Sequence, residues 1–234
     1  MDEIAAALQK LDWSPLYISM KTGICATTVC FFLGIFAAYR MMYPNKTVKA
    51  VWDGILTLPM VLPPTATGFF LLLLFSRRRP LGIFLFETFG IKIVQSFTGC
   101  VIAASVIAFP LMYRNALAAF ELVDPNLIYA GRTLGMSDFR IFWKVIVPTA
   151  APGIASGTIL TFARALGEYG ATSMLAGNIP GKTATISQRI AMVIQDSDYL
   201  TAGVWVSVVV MIAFFSVLLL NIIAGRTIRH VTKW

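Results

Sequence analysis

The sequence predicts an all-α integral membrane protein, a bundle of about five transmembrane helices, and three observations carry that prediction. Of the 234 residues, 58% are hydrophobic and only 13% are charged, with a mean hydropathy of +0.78. A soluble domain carries about 25% charged residues, so a water-facing surface would lack half its usual charge and a soluble enzyme is disfavoured. Five windows, 18–39, 53–75, 95–113, 148–172 and 203–223, are each long and apolar enough for a helix to cross about 30 Å of hydrocarbon. The windows are also continuous blocks, whereas the strands of a membrane barrel alternate apolar and polar residues.

Met1-Asp2-Glu3 is acidic where a secretory leader begins with basic residues, so the first window is expected to stay in place as an anchor. Residues 1–15 then form an extracytoplasmic segment, 16–225 the transmembrane domain and 226–234 a basic cytoplasmic tail. In the second window Pro59, Pro63 and Pro64 remove backbone donors and disrupt a straight helix. Such breaks are tolerated in a bilayer only where the freed groups are buried in protein or line a cavity. The stretch 81–91 is apolar but too short to cross, and lies at the interface or re-enters partway. The fourth window alone carries intramembrane charges, Arg164 and Glu168. Cys25, Cys30 and Cys100 lie in apolar stretches without the paired spacing of a zinc site or disulfide framework, and read as small packing residues.

Residues 114–147 form the longest polar connection. Asp124-Pro125 reads as an N-cap with proline at the first helical position. Leu127, Ala130 and Leu134, then Phe139, Phe142 and Trp143, recur at helical spacing, and Gly135 interrupts them as a helix stop. Ser137 or Asp138 caps a second short helix. The expectation is a helix-turn-helix on the membrane surface that ends at Pro148, where the fourth span begins.

At these residues the chain resembles a family. Tyr129-Ala130-Gly131, three residues, Gly135, nine residues and Val145-Ile146-Val147-Pro148 follow the spacing of the cytoplasmic "EAA" loop of ABC-importer permeases. The pattern there is Glu-Ala-Ala, three residues, Gly, nine residues, Ile-x-Leu-Pro. Tyr129 replaces the Glu, Gly131 the second Ala, and Val145 and Val147 the Ile and Leu. The stretches 161–172 and 177–183, with Leu58-Pro59 and Leu62-Pro63-Pro64, narrow the resemblance to permeases for molybdate and related oxyanions. It covers roughly residues 16–225.

The resemblance implies a type-1 importer fold in the inner or plasma membrane and a homodimer of this chain within the lipid bilayer. It also implies two copies of an ATPase subunit docked on the loop and an extracytoplasmic molybdate-binding protein. No cofactor belongs to this chain, because ATP and Mg are bound by the ATPase, and no nucleic-acid partner is expected. The loop must face the ATPase, which sets the amino terminus outside and the carboxyl terminus in the cytoplasm. The Lys/Arg balance of the loops favours that orientation only narrowly, because Arg77-Arg78-Arg79 falls on the outer side. That cluster and Lys182 either anchor headgroups or attract an anion or its delivering protein.

Arg164 and Glu168 are four apart, so they share a helix face and form either an internal ion pair or, through Arg164, a contact to the translocated anion. Pro63, Pro64, Thr65, Thr67 and Thr161 are the candidate pathway residues, set against a plain packing kink. The run 176–183 ends in Gly-Lys-Thr like a phosphate-binding loop, but Ala176 and Pro180 depart from that pattern and the run faces outward, so nucleotide binding is rejected. His230 lies in the basic tail and no catalytic set is visible. The expected function is an ATP-coupled molybdate permease, with tungstate or sulfate as alternative cargo. An ATP-independent carrier or channel, or a membrane-embedded enzyme, are the alternatives of another class.

Overall fold

The structure is a computed structural model that describes residues 11–42 and 44–231. Most of the expected segment 1–15 and the side chains of the tail 226–234 lie outside the described residues. The described residues are helical with no strand. Four helices are long and apolar enough to cross a membrane, and a bent pair makes a fifth crossing when counted as one broken span.

The first helix, α1 (Ser14–Arg40), buries Ala26, Cys30, Gly34 and Ala38, four residues apart on one face. Between helices in lipid there is little hydrophobic drive, so close approach of small residues marks where helices associate. The helix in this seam is α5 (Phe97–Glu121), started by Ser96, whose hydroxyl accepts from Gly99 N–H at 3.2 Å. A Cβ on Gly34 would lie 2.7 Å from Met112 Cγ, and the Cys30 thiol donates to the Ser105 carbonyl at 3.3 Å. Against both lies α8 (Val147–Leu166), and these three helices enclose the larger core, from Ala26 through Met112 and Phe120 to Ile154. The third window was expected to end near 113. Instead the helix runs on to Glu121 because Ala116, Leu117, Ala119 and Phe120 remain buried.

The second window splits into α2 (Lys46–Val61) and α3 (Pro64–Phe75), whose axes differ by 107°. Leu62 and Pro63 precede prolines and are extended, with ψ of 145° and 133°, because the following ring excludes the helical region. At the far end α4 (Pro80–Phe89) is the expected short apolar helix, ended by Gly90 in the left-handed region. The Arg77 guanidinium lies 3.7 Å over its Phe86 ring.

The fourth span does not start at Pro148 or reach residue 172. A single helical path runs from Asp138 to Leu166, comprising α7 (Asp138–Ile141), a π turn (Phe142–Ile146) and α8. Pro148 offers no N–H to the Lys144 carbonyl and its ring crowds that position, and the widened turn absorbs the conflict. The Thr149 hydroxyl donates to the Val145 carbonyl at 2.7 Å. After Gly167 the chain turns into a separate short helix, α9 (Gly170–Ala176). Beyond it, α10 (Ile186–Gln195) is opened by Gln188, whose Oε1 accepts from Thr185 N–H at 3.0 Å, and α11 (Tyr199–Val231) is the last long apolar helix. Asp198 accepts from Thr201 N–H at 3.1 Å, and its hydrogen bonds to Thr201 hold its carboxyl below the usual carboxylate range.

Candidate functional site

The connection between the third and fourth spans is built as a rigid tip. Asp124 accepts from Asn126 N–H at 2.9 Å and Pro125 begins α6 (Pro125–Thr133), the pairing of cap and proline that the sequence supplies. The helix stops at Gly135, whose φ of +73° is a left-handed conformation that glycine adopts without strain. Gly135 N–H donates to the Arg132 carbonyl at 2.9 Å and Met136 N–H to the Gly131 carbonyl at 3.0 Å, closing the turn. Gly131 is buried where α6 meets α7, and a Cβ there would sit 3.1 Å from Ile141 Cγ1. Arg132 bridges to Asp138 at 3.2 Å across the turn, and Ser137 caps α7.

The tip exposes large apolar residues beside the charged Arg132, Asp138 and Arg140. Leu127, Tyr129, Leu134 and Phe139 are exposed, Leu134 at 79% and Phe139 at 72%, and Ala130 lies among them on the open face. Large apolar side chains left open on a polar connection mark it as a candidate contact surface. Behind it Ile128, Ile141, Phe142 and Phe120 join the core, and α7 continues into α8 without a flexible joint. The exposed ring of Tyr129 stands where the family pattern has a carboxylate, and Pro148 stays at the exposed start of α8, just past the π turn.

The remaining predicted residues divide into two places. Pro63, Pro64 and Thr65 form the break between α2 and α3, with Pro63 and Thr65 exposed. Against this break lies the second one, at 167–169: a Cβ on Gly170 would sit 3.0 Å from Pro64 Cβ, and one on Gly68 would sit 2.7 Å from Ala171 Cα. Glu168 is 2% exposed and holds this second break together. Its Oε2 accepts from Arg164 at 2.8 Å, its Oε1 accepts from Ala171 N–H at 2.8 Å, and its carbonyl accepts from the Thr172 hydroxyl at 3.0 Å. Arg164 itself is part-exposed. Thr67 is buried without a hydrogen-bond partner for its hydroxyl, whereas Thr161 is fully buried and donates to the Gly157 carbonyl at 2.7 Å.

The contact of Gly68 with Ala171 escapes sequence reasoning, since small residues in two separate windows carry no sign that they meet. Two ion pairs were missed for the same reason. Lys49 bridges to Glu121, and Arg114 to Asp53 at 3.3 Å, tying α2 to the end of α5 next to the tip. In the run 176–183, Thr183 accepts from Ile179 N–H at 2.9 Å and donates to the Gly177 carbonyl at 3.3 Å, so the loop uses its hydroxyl internally.

Comparison with known proteins places this architecture. Residues 31–233 match the model of a family described as binding-protein-dependent transport system inner membrane component. The molybdenum transport system permease protein ModB of Escherichia coli is 41% identical over 184 residues, covering 79% of this chain and 80% of that protein. The sulfate transport system permease protein CysT of Salmonella typhimurium is 31% identical over 216 residues, covering 90% and 76%. Among solved structures, a bacterial ABC transporter involved in the import of the acidic polysaccharide alginate superimposes with a TM-score of 0.70 at 16% identity, covering 96% of this chain and 83% of that one. An amino acid ABC transporter gives 0.59 at 23% identity, covering 89% and 92%. A family model that spans most of the sequence, and a fold shared with these transporters, make this chain a member of the binding-protein-dependent transport system inner membrane components.

Proposed function

We propose that the chain is the membrane-spanning, non-catalytic permease subunit of an ATP-driven molybdate importer. The observation that carries the reading is the exposed apolar tip Leu127–Phe139, joined without a hinge to a spanning helix. A surface of that kind receives force from a separate protein and hands it to the bundle. The likeness to ModB supports molybdate as cargo. Sulfate permeases are also relatives, at lower identity, and tungstate has the same tetrahedral dianionic chemistry.

In this reading two copies of the chain form a homodimer around a central path. Two ATPase subunits bind ATP and Mg and dock on Tyr129, Ala130 and Gly135 of each tip, with Gly131 packed inside the tip and Pro148 at the root of the span they move. An external binding protein delivers the oxyanion on the side of the amino terminus, and the carboxyl terminus is cytoplasmic. A bare dianion in hydrocarbon would cost tens of kcal/mol, so the bundle must supply a polar route open to one side at a time. The facing breaks at Pro63-Pro64-Thr65 and 167–169 are the segments where that route can open and close, with Thr67 and Thr161 behind them. Arg164 and Glu168 act first as the internal pair that holds the second break.

The test is a complex reconstituted in liposomes with its ATPase and binding protein. Leu134→Asp with Phe139→Asp is expected to abolish co-purification of the ATPase and ATP-dependent molybdate uptake, while the chain still inserts and folds. Uptake at the wild-type rate would reject the coupling role. Competition of labelled molybdate by tungstate and by sulfate in the same liposomes ranks the cargo.

A further inference from the structure

An apolar groove of about 650 Å³ runs along the outside of the bundle between α1, α8 and α11, with Phe32, Phe36, Trp143, Ala155 and Leu219 among its walls. Thr158 is the one hydroxyl of a serine or threonine in it, and that hydroxyl is used by the Ile154 carbonyl at 2.8 Å. The groove has a charged end. Tyr39 and Phe142 pack there with ring centroids 4.4 Å apart, and the next residues along each chain are cations or lead to one, Arg40 after Tyr39 and Lys144 after Trp143. The Arg40 guanidinium lies 6.0 Å from the Phe36 ring, on the groove wall itself. Among the described residues neither Arg40 nor Lys144 forms an ion pair.

We infer that this groove is a binding site for one anionic phospholipid, with an acyl chain along the walls and the phosphate on Arg40 and Lys144. Its length fits: the α1 wall, Phe31 to Tyr39, rises about 12 Å and the α8 wall, Val147 to Ile159, about 18 Å, against about 15 Å for one leaflet of hydrocarbon. The rim fits as well, since aromatic rings and cations are the side chains that sit at headgroup level. A second copy of this chain fits less well, because its spans have no free carboxylate to bring. α1 and α11 contain none, Asp53 and Glu121 are paired with Arg114 and Lys49, and Glu168 is buried on Arg164. A lipid phosphate is the anion that the bilayer itself brings to this rim.

The test uses the purified full-length chain in nanodiscs of phosphatidylglycerol or phosphatidylcholine, read by lipid retention in native mass spectrometry and by melting temperature. Wild type is expected to retain one phosphatidylglycerol per chain in preference to phosphatidylcholine and to melt higher in it, unaffected by added inorganic phosphate. Arg40→Gln and Lys144→Gln are exposed changes, and each is expected to weaken the preference about fivefold. Ala155→Phe fills the groove and is expected to abolish retention of both lipids. Equal retention of the two lipids by wild type, undiminished preference in the double glutamine variant, displacement by inorganic phosphate, or disulfide cross-linking of Ala155→Cys to a second copy would each overturn the proposal.

Discussion

At Gly135 the φ of +73° is surrounded by open space, so a side chain there meets no neighbour and the cost of substitution is conformational. Asparagine enters the left-handed region readily and valine does not. Gly135→Asn is therefore expected to keep the ATPase activity stimulated by loaded binding protein, whereas Gly135→Val strains the turn by roughly 1–3 kcal/mol and reduces that stimulation. Equal activity of the two would detach the turn from coupling. Glu168 makes a different demand, since it serves Arg164 and the Ala171 N–H at once from a buried site. Glu168→Ala removes the acceptor of both and is expected to lower stability by about 2–3 kcal/mol, measured by thermal unfolding in detergent. Arg164→Gln separates the two roles of the arginine. Parallel losses of melting temperature and uptake mark a structural pair, and a changed KM for oxyanion uptake at an unchanged melting temperature marks contact with the cargo. The i, i+4 spacing of Arg164 and Glu168 was readable from the sequence, but the use of Glu168 as a cap for α9 was not, because it depends on the chain turning at Gly167.

At the scale of elements, the features with local causes were visible in advance. Asp124-Pro125 starts α6, Gly135 stops it, and the prolines at 63 and 64 break the second window, each through steric or hydrogen-bonding rules that act within four residues. The angle of 107° was not visible, because it is set by what α3 packs against. The contact of Gly68 with Ala171 is close enough that Gly68→Val is expected to push α3 from α9, at a cost of roughly 1–3 kcal/mol in thermal unfolding and with loss of uptake. The ion pairs Lys49–Glu121 and Asp53–Arg114 join α2, the first half of the broken span, to the helix that enters the tip. Both are partly exposed, so each contributes only about 0.5 kcal/mol to stability. Their consequence lies in linkage: Lys49→Glu or Glu121→Lys alone is expected to lower transport and the double exchange to restore it, with melting temperature nearly constant throughout. Failure of the double exchange to rescue would leave the pairs without a transmitting role.

For the molecule as a whole, the proposed coupling makes a requirement on assembly. Liposomes containing this chain alone are expected to show no molybdate uptake under an ion gradient, and uptake is expected to appear when the ATPase, ATP and the external binding protein are added together. Gradient-driven uptake by the chain alone would favour a carrier. A cysteine introduced at Leu134 is expected to react with an impermeant thiol reagent only from the cytoplasmic side. Composition and the apolar windows by themselves determined a membrane bundle, and the local signals from Asp124 to Gly135 determined where its polar connection turns, because burial in lipid and capping are written in short stretches of chain. Only the tertiary structure decided that the helical path of the fourth window runs from Asp138 to Leu166, that two helix breaks face each other through Gly68, Gly170 and Pro64, and that a groove with a cationic rim lies beside α1. Those outcomes depend on which small residues meet across helices distant in sequence, and close packing between helices leaves no periodic trace in either one alone.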